Sequence, residues 1–577
     1  MRGPVVLVLF LAVAAAAIGF ALRPTQLQPT DVPRPRVKLA VLVVFDQMRG
    51  DYPERWKPLF GSSGFVRLQT AGATFNHCHY PYAITTTGPG HASILSGTTC
   101  DKHGIINNNW FEGGGTVYCA GSSSRYEFVP GPTPKGKDVG NPERFRGETV
   151  ADVLLAVHPQ AKVFGLSLKD RSAILPTGKD PTGAYWFNGQ FVTSTYYSDR
   201  PHTWVDEFNK ARVADQYFGK DWVRFRDDID YEKWSGLDNG PGEGKGVSVT
   251  AKGDPARGWS QGVEFPHPNT GGRAKPGSEY YSTLANSPFG NDLLLEFAKK
   301  CITAEKLGAD DVPDLLVISF SANDPVGHTW GPDSQEVLDI TLRSDAIMAD
   351  LLSFLDRQVG KDQYLLAVTA DHGACALPEV SRSKGIDAKR VDPKVIQKDI
   401  EDHLTQRFGT PVGPAKSDKK PAWIEAQVLP WIYLNPRVCA AAQRSRTEVA
   451  TAVVEFISQR PEFARAFSRA DLEVAGPAED HIRTLVRRSY HPDRSGDVFL
   501  VLKPYHIPSA AIGTGTTHGS PYDYDRHVPL MVIGPGVVGG TKSEPTTPQA
   551  AAAIFARWLD IRLPKFAEYP VPESLTR

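Results

Sequence analysis

Residues 364–373 read Tyr-Leu-Leu-Ala-Val-Thr-Ala-Asp-His-Gly. The first six are apolar or β-branched with no alternation, the pattern of a strand buried on both faces. The run then ends on a carboxylate and an imidazole, Asp371 and His372. Two other runs end in a similar way. Lys38–Phe45 (KLAVLVVF) leads into Asp46, and Leu315–Phe320 (LLVISF) is followed by Asp324. Val498–Leu502 (VFLVL) and Val528–Ile533 (VPLMVI) share the same character. All five read as buried parallel strands. Ser334–Val359 places Val337, Leu338, Leu342, Ile347, Leu351 and Leu355 at helical spacing, and Gln549–Leu559 reads as a C-terminal helix. Strands alternating with helices predict an α/β fold with a mostly parallel central sheet and helices on both faces.

Open α/β sheets bind ligands beyond the carboxyl ends of their strands. Asp46, Asp324 and Asp371 therefore converge on one rim. Histidines accompany them: His328 four residues after Asp324, His372 beside Asp371, and His518 in Gly-Thr-Thr-His-Gly-Ser-Pro. Taken singly, an Asp behind a strand is an ordinary helix cap or turn residue. Together these residues offer the oxygen and nitrogen donors that suit zinc, although manganese and cobalt accept the same set. Two such sets make a two-metal centre, with ions roughly 3.5–4 Å apart, able to clamp the attacking and leaving oxygens of a phosphoryl group.

A nucleophile candidate lies in Ile84-Thr85-Thr86-Thr87-Gly88-Pro89-Gly90-His91. A hydroxyl needs a base or a metal to activate it. Gly-Pro-Gly reads as a tight turn into a helix starting near His91, whose N-terminus would favour an anion. The alternative is that the threonines merely cap that helix.

The chain has 577 residues, 41% hydrophobic and 22% charged, with a formal net charge of -1. That balance excludes a nucleic-acid coat protein and a polybasic membrane binder, so no nucleic-acid partner is expected. At the N-terminus, Arg2 precedes an apolar run from Val5 to Leu22. Residues 1–22 read as a cleaved secretory signal or an uncleaved anchor, followed by a Pro-rich linker over 23–36. Either version places the body of the protein in the periplasm or outside the cell, with a possible membrane tether in the second. None of the six cysteines forms a CxxC pair, which argues against a cysteine zinc cluster, and Cys100 and Cys119 are close enough for a local bridge.

Six blocks together resemble the alkaline phosphatase superfamily, and within it the branch with a single threonine nucleophile. They are VFDQMRGDY, TTTGPGHASILSGTTCDKHGIINNNWF, SLKDRSAILPTG, SFSANDPVGHTWGPDS, TADHGA and GTTHGSPYDYDRHVPLMVIGPG, in that order. The branch contains zinc phosphomonoesterases and nucleotide pyrophosphatase/phosphodiesterases. The resemblance implies an alkaline-phosphatase-like core with two zinc ions. Asp324, His328 and His518 would hold one ion. Asp46, Asp371 and His372 would hold the other, with Thr87 as its ligand and as the nucleophile. Spacing to the His-Gly-Ile-Ile-Asn-Asn block favours Thr87 over Thr86. Asn108 would donate to a phosphoryl oxygen, with Asn107 and Asn109 open by one position. Lys169 and Arg171 resemble the phosphate-recognition element of the monoesterases, and the substrates would be small phosphate esters. The implied reaction is hydrolysis of monoesters through a phosphothreonine, in the manner of a broad-specificity phosphate scavenger. A phosphodiesterase or pyrophosphatase on the same metals is the alternative.

A sulfatase is disfavoured because no Cys-x-Pro-x-Arg element is present. A binding protein that has kept the fold without turnover is the rival from another class. The expected organisation is one catalytic domain over 37–565, with insertions near 185–281 and 387–422.

Overall fold

The computed structural model describes residues 37–576 apart from 122–124, 250–257, 414–419, 475 and 477–478. The expected signal or anchor (1–22) and the linker (23–36) lie outside the described residues. Among the described residues no helix is long and apolar enough to cross a membrane.

The strands that build the site belong to one 10-stranded sheet. Its members are β1 (Leu39–Phe45), β2 (Ala73–Phe75), β3 (Phe128–Val129), β4 (Val163–Ser167), β5 (Gly183–Phe187), β6 (Phe191–Ser194), β7 (Asp314–Phe320) and β8 (Tyr364–Thr369). A four-stranded sheet intervenes in sequence, with β9 (Ile424–Val428), β10 (Trp431–Leu434), β11 (Phe463–Ser468) and β12 (Val498–Leu502). The main sheet is completed by β13 (Leu530–Ile533) and β14 (Gly540–Lys542), in the order β14-β2-β13-β8-β1-β7-β4-β5-β6-β3. β8, β1, β7, β4 and β5 run parallel. Every residue of β1, β7 and β8 is buried, which is why these strands carry no polar alternation.

The pairing register decides where the chemistry falls. Phe45 lies opposite Phe320, and Val44 opposite Thr369. The residues that follow, Asp46, Asp324 and Asp371, therefore leave the sheet along one edge. The rings of Phe45 and Phe320 stack 5.0 Å apart at the strand ends and close the apolar core beneath that edge.

Helices deliver the rest. They include α1 (Thr87–Ser96), α2 (Asp170–Ile174), α3 (Asn323–Trp330) and α4 (Gln335–Leu355). Ser334 caps α4 by accepting from the Val337 amide, and the C-terminal helix spans Ala550–Trp558, close to expectation.

Several expectations are corrected. Val498–Leu502 is β12, antiparallel to β10 and β11 in the second sheet, and β13 pairs antiparallel with β8. An apolar run reports burial, while the choice of partner and direction comes from tertiary contacts. Gly88-Pro89-Gly90 is not a turn before the helix but the first turn of α1 itself. Proline is tolerated there because the first amides of a helix have no partner within it. Cys100 and Cys119 do not bridge; all six cysteines are buried free thiols.

Residues 185–281 begin inside β5, and β5 and β6 extend the main sheet. Residues 387–422 contain a helix, Pro393–Phe408, which packs with β9–β12 around a second apolar core.

α1 lies against the end of β8 through Gly90. A Cβ on Gly90 would stand 2.4 Å from the Asp371 carbonyl oxygen. Gly90→Ala is therefore expected to push α1 away from β8 and lower unfolding free energy by about 1–3 kcal/mol. Denaturant unfolding measures this, and an unchanged midpoint would show that the contact is not tight.

Candidate metal centre

At the rim, two groups of donors assemble. Asp46, Asp371 and His372 form one, and Asp324, His328 and His518 the other; within each, the ligand atoms lie within 4.8 Å of one another. His372 Nε2 is 3.5 Å from Asp46 Oδ1 and 3.4 Å from Asp371 Oδ2. His328 Nε2 and His518 Nε2 are 3.2 and 3.6 Å from Asp324 Oδ1. The groups adjoin, because the His372 and His518 rings stack at 3.5 Å.

Each imidazole is held by its other nitrogen. Nδ1 of His328, His372 and His518 meets the backbone oxygens of Thr516, Gly373 and Thr85 at 2.8, 2.9 and 2.7 Å. A carbonyl only accepts, so Nδ1 carries the proton and Nε2 turns a lone pair toward the carboxylates. That is the arrangement in which histidine binds a metal.

The electrostatics ask for positive charge. Asp46 and Asp371 are fully buried and Asp324 nearly so. Burial and the neighbouring Asp371 carboxylate push Asp46 well above the ordinary aspartate range. Burial opposes ionisation of Asp324, but Lys169 and His328 beside it hold its carboxyl well below that range. Burial lowers His518 and His372, which keeps them neutral. Asp46 Oδ1 and Asp371 Oδ2 are buried without a hydrogen-bond partner. Buried carboxyl oxygens that make no hydrogen bond among the described residues, beside imidazoles that turn a lone pair toward them, fit a pair of cations.

The three threonines separate clearly. The hydroxyl of Thr85 donates to the Ser520 carbonyl at 3.0 Å, and that of Thr86 to Asn107 Oδ1 at 3.0 Å. Thr87, the first residue of α1, alone faces the donors, with Oγ1 3.4 Å from His372 Nε2. Arg171 Nη2 lies 3.4 Å from the same oxygen, and Arg171 Nε is buried without a partner.

Of the asparagines, Asn107 is engaged on both sides, by Thr86 and by the Leu429 carbonyl. Asn109 is exposed on a hairpin strand. Asn108 accepts from the Gly88 amide at 2.7 Å, which fixes its side chain beside the start of α1. Lys169 bridges the two donor groups, with Nζ 2.7 Å from Asp46 Oδ2 and 2.5 Å from Asp324 Oδ2.

Two supporting residues escaped the sequence reading. Gln47 donates its backbone amide to Asp371 Oδ1 at 3.1 Å and its side-chain amide to Asp324 Oδ1 at 2.7 Å, so it joins both groups. Its φ of 66° is a left-handed conformation, uncommon for a side chain of this size. Gly327 of α3 makes the room, since a Cβ there would stand 1.9 Å from Gln47 Oε1. His91 backs the start of α1, with Nδ1 3.0 Å from the Thr87 carbonyl and 3.3 Å from Asp371 Oδ2. Position next to Asp46 was the only local signal for Gln47, and helical spacing from Thr87 the only one for His91.

The pattern of a type I phosphodiesterase / nucleotide pyrophosphatase matches residues 40–521, which takes in every residue of both donor groups. The chain belongs to that family, within the alkaline phosphatase superfamily. Family members similar to it include alkaline phosphatase PafA of Elizabethkingia meningoseptica, 33% identical over 555 residues, covering 94% of this chain and 95% of that protein. Alkaline phosphatase PhoV of Synechococcus elongatus is 34% identical over 519 residues, covering 89% and 88%. The crystal structure of wild-type PafA superposes with a TM-score of 0.83 at 31% identity, covering 94% of this chain and 99% of that one. A solved variant of PafA is altered at one threonine, one asparagine, one lysine and one arginine.

Gln47→Leu removes the side-chain donor to Asp324 while keeping bulk. Metal affinity is expected to fall by about 10–100-fold. Chelator titration of metal-loaded protein reads this directly, and unchanged retention would leave Gln47 a packing residue only.

Proposed function

We propose that the protein hydrolyses phosphate monoesters through a phosphothreonine formed on Thr87, at a centre of two zinc ions, and that it serves as a broad-specificity phosphate scavenger outside the cytoplasm. It is a phosphoric monoester hydrolase, as its alkaline phosphatase relatives are named. The catalytic domain is taken as residues 37–565, with 185–281 and 387–422 as insertions on it.

One observation carries the reading: of three consecutive threonines, only Thr87 turns its hydroxyl to the metal donors, and it does so within reach of the Arg171 guanidinium. The residues altered in the PafA variant add support. Its threonine and asparagine stand the same distance apart in sequence as Thr87 and Asn108, and its lysine and arginine the same distance apart as Lys169 and Arg171.

One ion would be held by Asp46, Asp371, His372 and Thr87, the other by Asp324, His328 and His518. When bound, the ions supply Lewis acidity toward the phosphoryl oxygens and make hydroxyl and water oxygens more acidic. The remaining steps belong to the chain. Arg171 presents a planar fork to the phosphoryl oxygens, and Asn108 an amide held in place by Gly88. The start of α1 adds backbone amides and the positive end of its dipole. Lys169 contributes a point charge between the two donor groups.

Thr87 gives up its hydroxyl proton to solvent and Oγ1 attacks phosphorus in line; the P–O bond to the alcohol breaks, and the leaving oxygen departs on the far side and takes up a proton from water. Water then displaces the threonine oxygen, releasing phosphate and restoring the hydroxyl. A monoester dianion has more charged oxygens for Lys169 and Arg171 than a diester, whose second ester group would need that space.

The deciding experiment compares para-nitrophenyl phosphate with bis-para-nitrophenyl phosphate, with and without zinc. A strong zinc-dependent preference for the monoester is expected; preference for the diester would move the chain to the phosphodiesterase branch. Thr87→Ala is expected to cut monoester turnover by on the order of 10³-fold or more with metal content unchanged. Arg171→Ala is expected to cost about 10²–10³-fold in kcat on the monoester and far less on the diester. Equal losses on both substrates would remove Arg171 from monoester recognition.

A further inference from the structure

Beside the metal donors lies a half-open cavity of about 130 Å³. Thr86, Asn107 and His518 line it, and His518 is also one of the metal donors. The facing wall is apolar and comes from the second sheet: Phe463 on β11, and Phe499 and Leu502 on β12. Two further lining side chains, His506 and Asp525, bring buried polar atoms, Nε2 and Oδ1, that make no hydrogen bond among the described residues. Apolar walls with a few convergent polar groups are what small-molecule sites present. An apolar cavity of roughly 150 Å³ takes up benzene, so this one has room for an aromatic ring or a short alkyl chain.

The direction of the reaction points into it. Thr87 stands at the Asp46–Asp371–His372 group, 3.4 Å from His372 Nε2. In-line displacement sends the leaving oxygen away from Thr87, toward Asp324, His328 and His518. His518 is shared by that group and by the cavity wall.

We propose that this cavity seats the apolar alcohol portion of the substrate, so that alkyl and aryl phosphates are preferred over esters of small polar alcohols. The proposal rests on the monoesterase reading and adds a substrate class to it. The second sheet thereby takes part in substrate choice, with no residue of its own among the metal donors.

The test is kcat/KM for ethyl, butyl and hexyl phosphate with the full-chain protein. Their alcohols are of nearly equal acidity, so the chemistry of departure is constant along the series. A rise of about fourfold for each methylene that reaches the cavity is expected. Leu502→Trp, which fills the cavity, should flatten the series. Pro508→Trp, on the exposed rim, serves the same purpose if the first variant does not fold. A flat series in the unmodified protein overturns the cavity's role, while ethyl phosphate turnover keeps the monoesterase reading. Calorimetric binding of hexylphosphonate against methylphosphonate to zinc-loaded protein reads the same preference without turnover. Equal affinities overturn the proposal even if no ester is hydrolysed.

Discussion

Three aspartates buried on one rim repel one another, and much of the site's surroundings manages that repulsion. Parallel pairing of β7, β1 and β8 brings Asp324, Asp46 and Asp371 to adjacent strand ends. Two of their oxygens make no hydrogen bond among the described residues. An uncompensated buried carboxylate costs several kcal/mol, about the scale of a whole domain's net stability. The protein offsets part of the charge with Lys169 and the amides of Gln47. The remainder is what makes this rim a candidate cation site.

The same constraint explains the histidines. Neutral imidazole is the form that donates to a metal, and burial favours it in His372 and His518. Backbone carbonyls from three separate segments then set the tautomer. Two of those segments cross-link the site: Thr85 two residues before Thr87, and Thr516 two residues before His518. Holding a histidine and placing the threonine are thus one structural task, since the Thr85 carbonyl that orients His518 belongs to the turn that aims Thr87.

Close approach of backbones supplies the precision. Gly90 lets α1 rest against the Asp371 backbone, and Gly327 lets Gln47 reach across α3. Neither glycine contributes a functional group; each is the absence of a Cβ where two parts of the chain must nearly touch. The four-stranded sheet has its own apolar core and still lines a cavity against His518. The sheet therefore borders the candidate metal centre, although its strands lie outside the stretch 387–422 that the sequence singles out as an insertion.

The sequence by itself determined the strand cores, the residue types of the donors and their order along the chain, because burial and metal chemistry are written in local composition. Asp46, Asp324 and Asp371 were legible as a set since each follows an apolar run. The partner of Val498–Leu502 was not legible, because an apolar run is equally buried in either sheet. The choice among Thr85, Thr86 and Thr87, and among three asparagines, was likewise a matter of which distant group accepts each hydroxyl or amide. Gln47 and the Lys169 bridge span contacts between residues more than a hundred positions apart. Only the tertiary structure decides such pairings, because a hydrogen bond depends on where two atoms end up in space, and local pattern records only what each residue is able to offer.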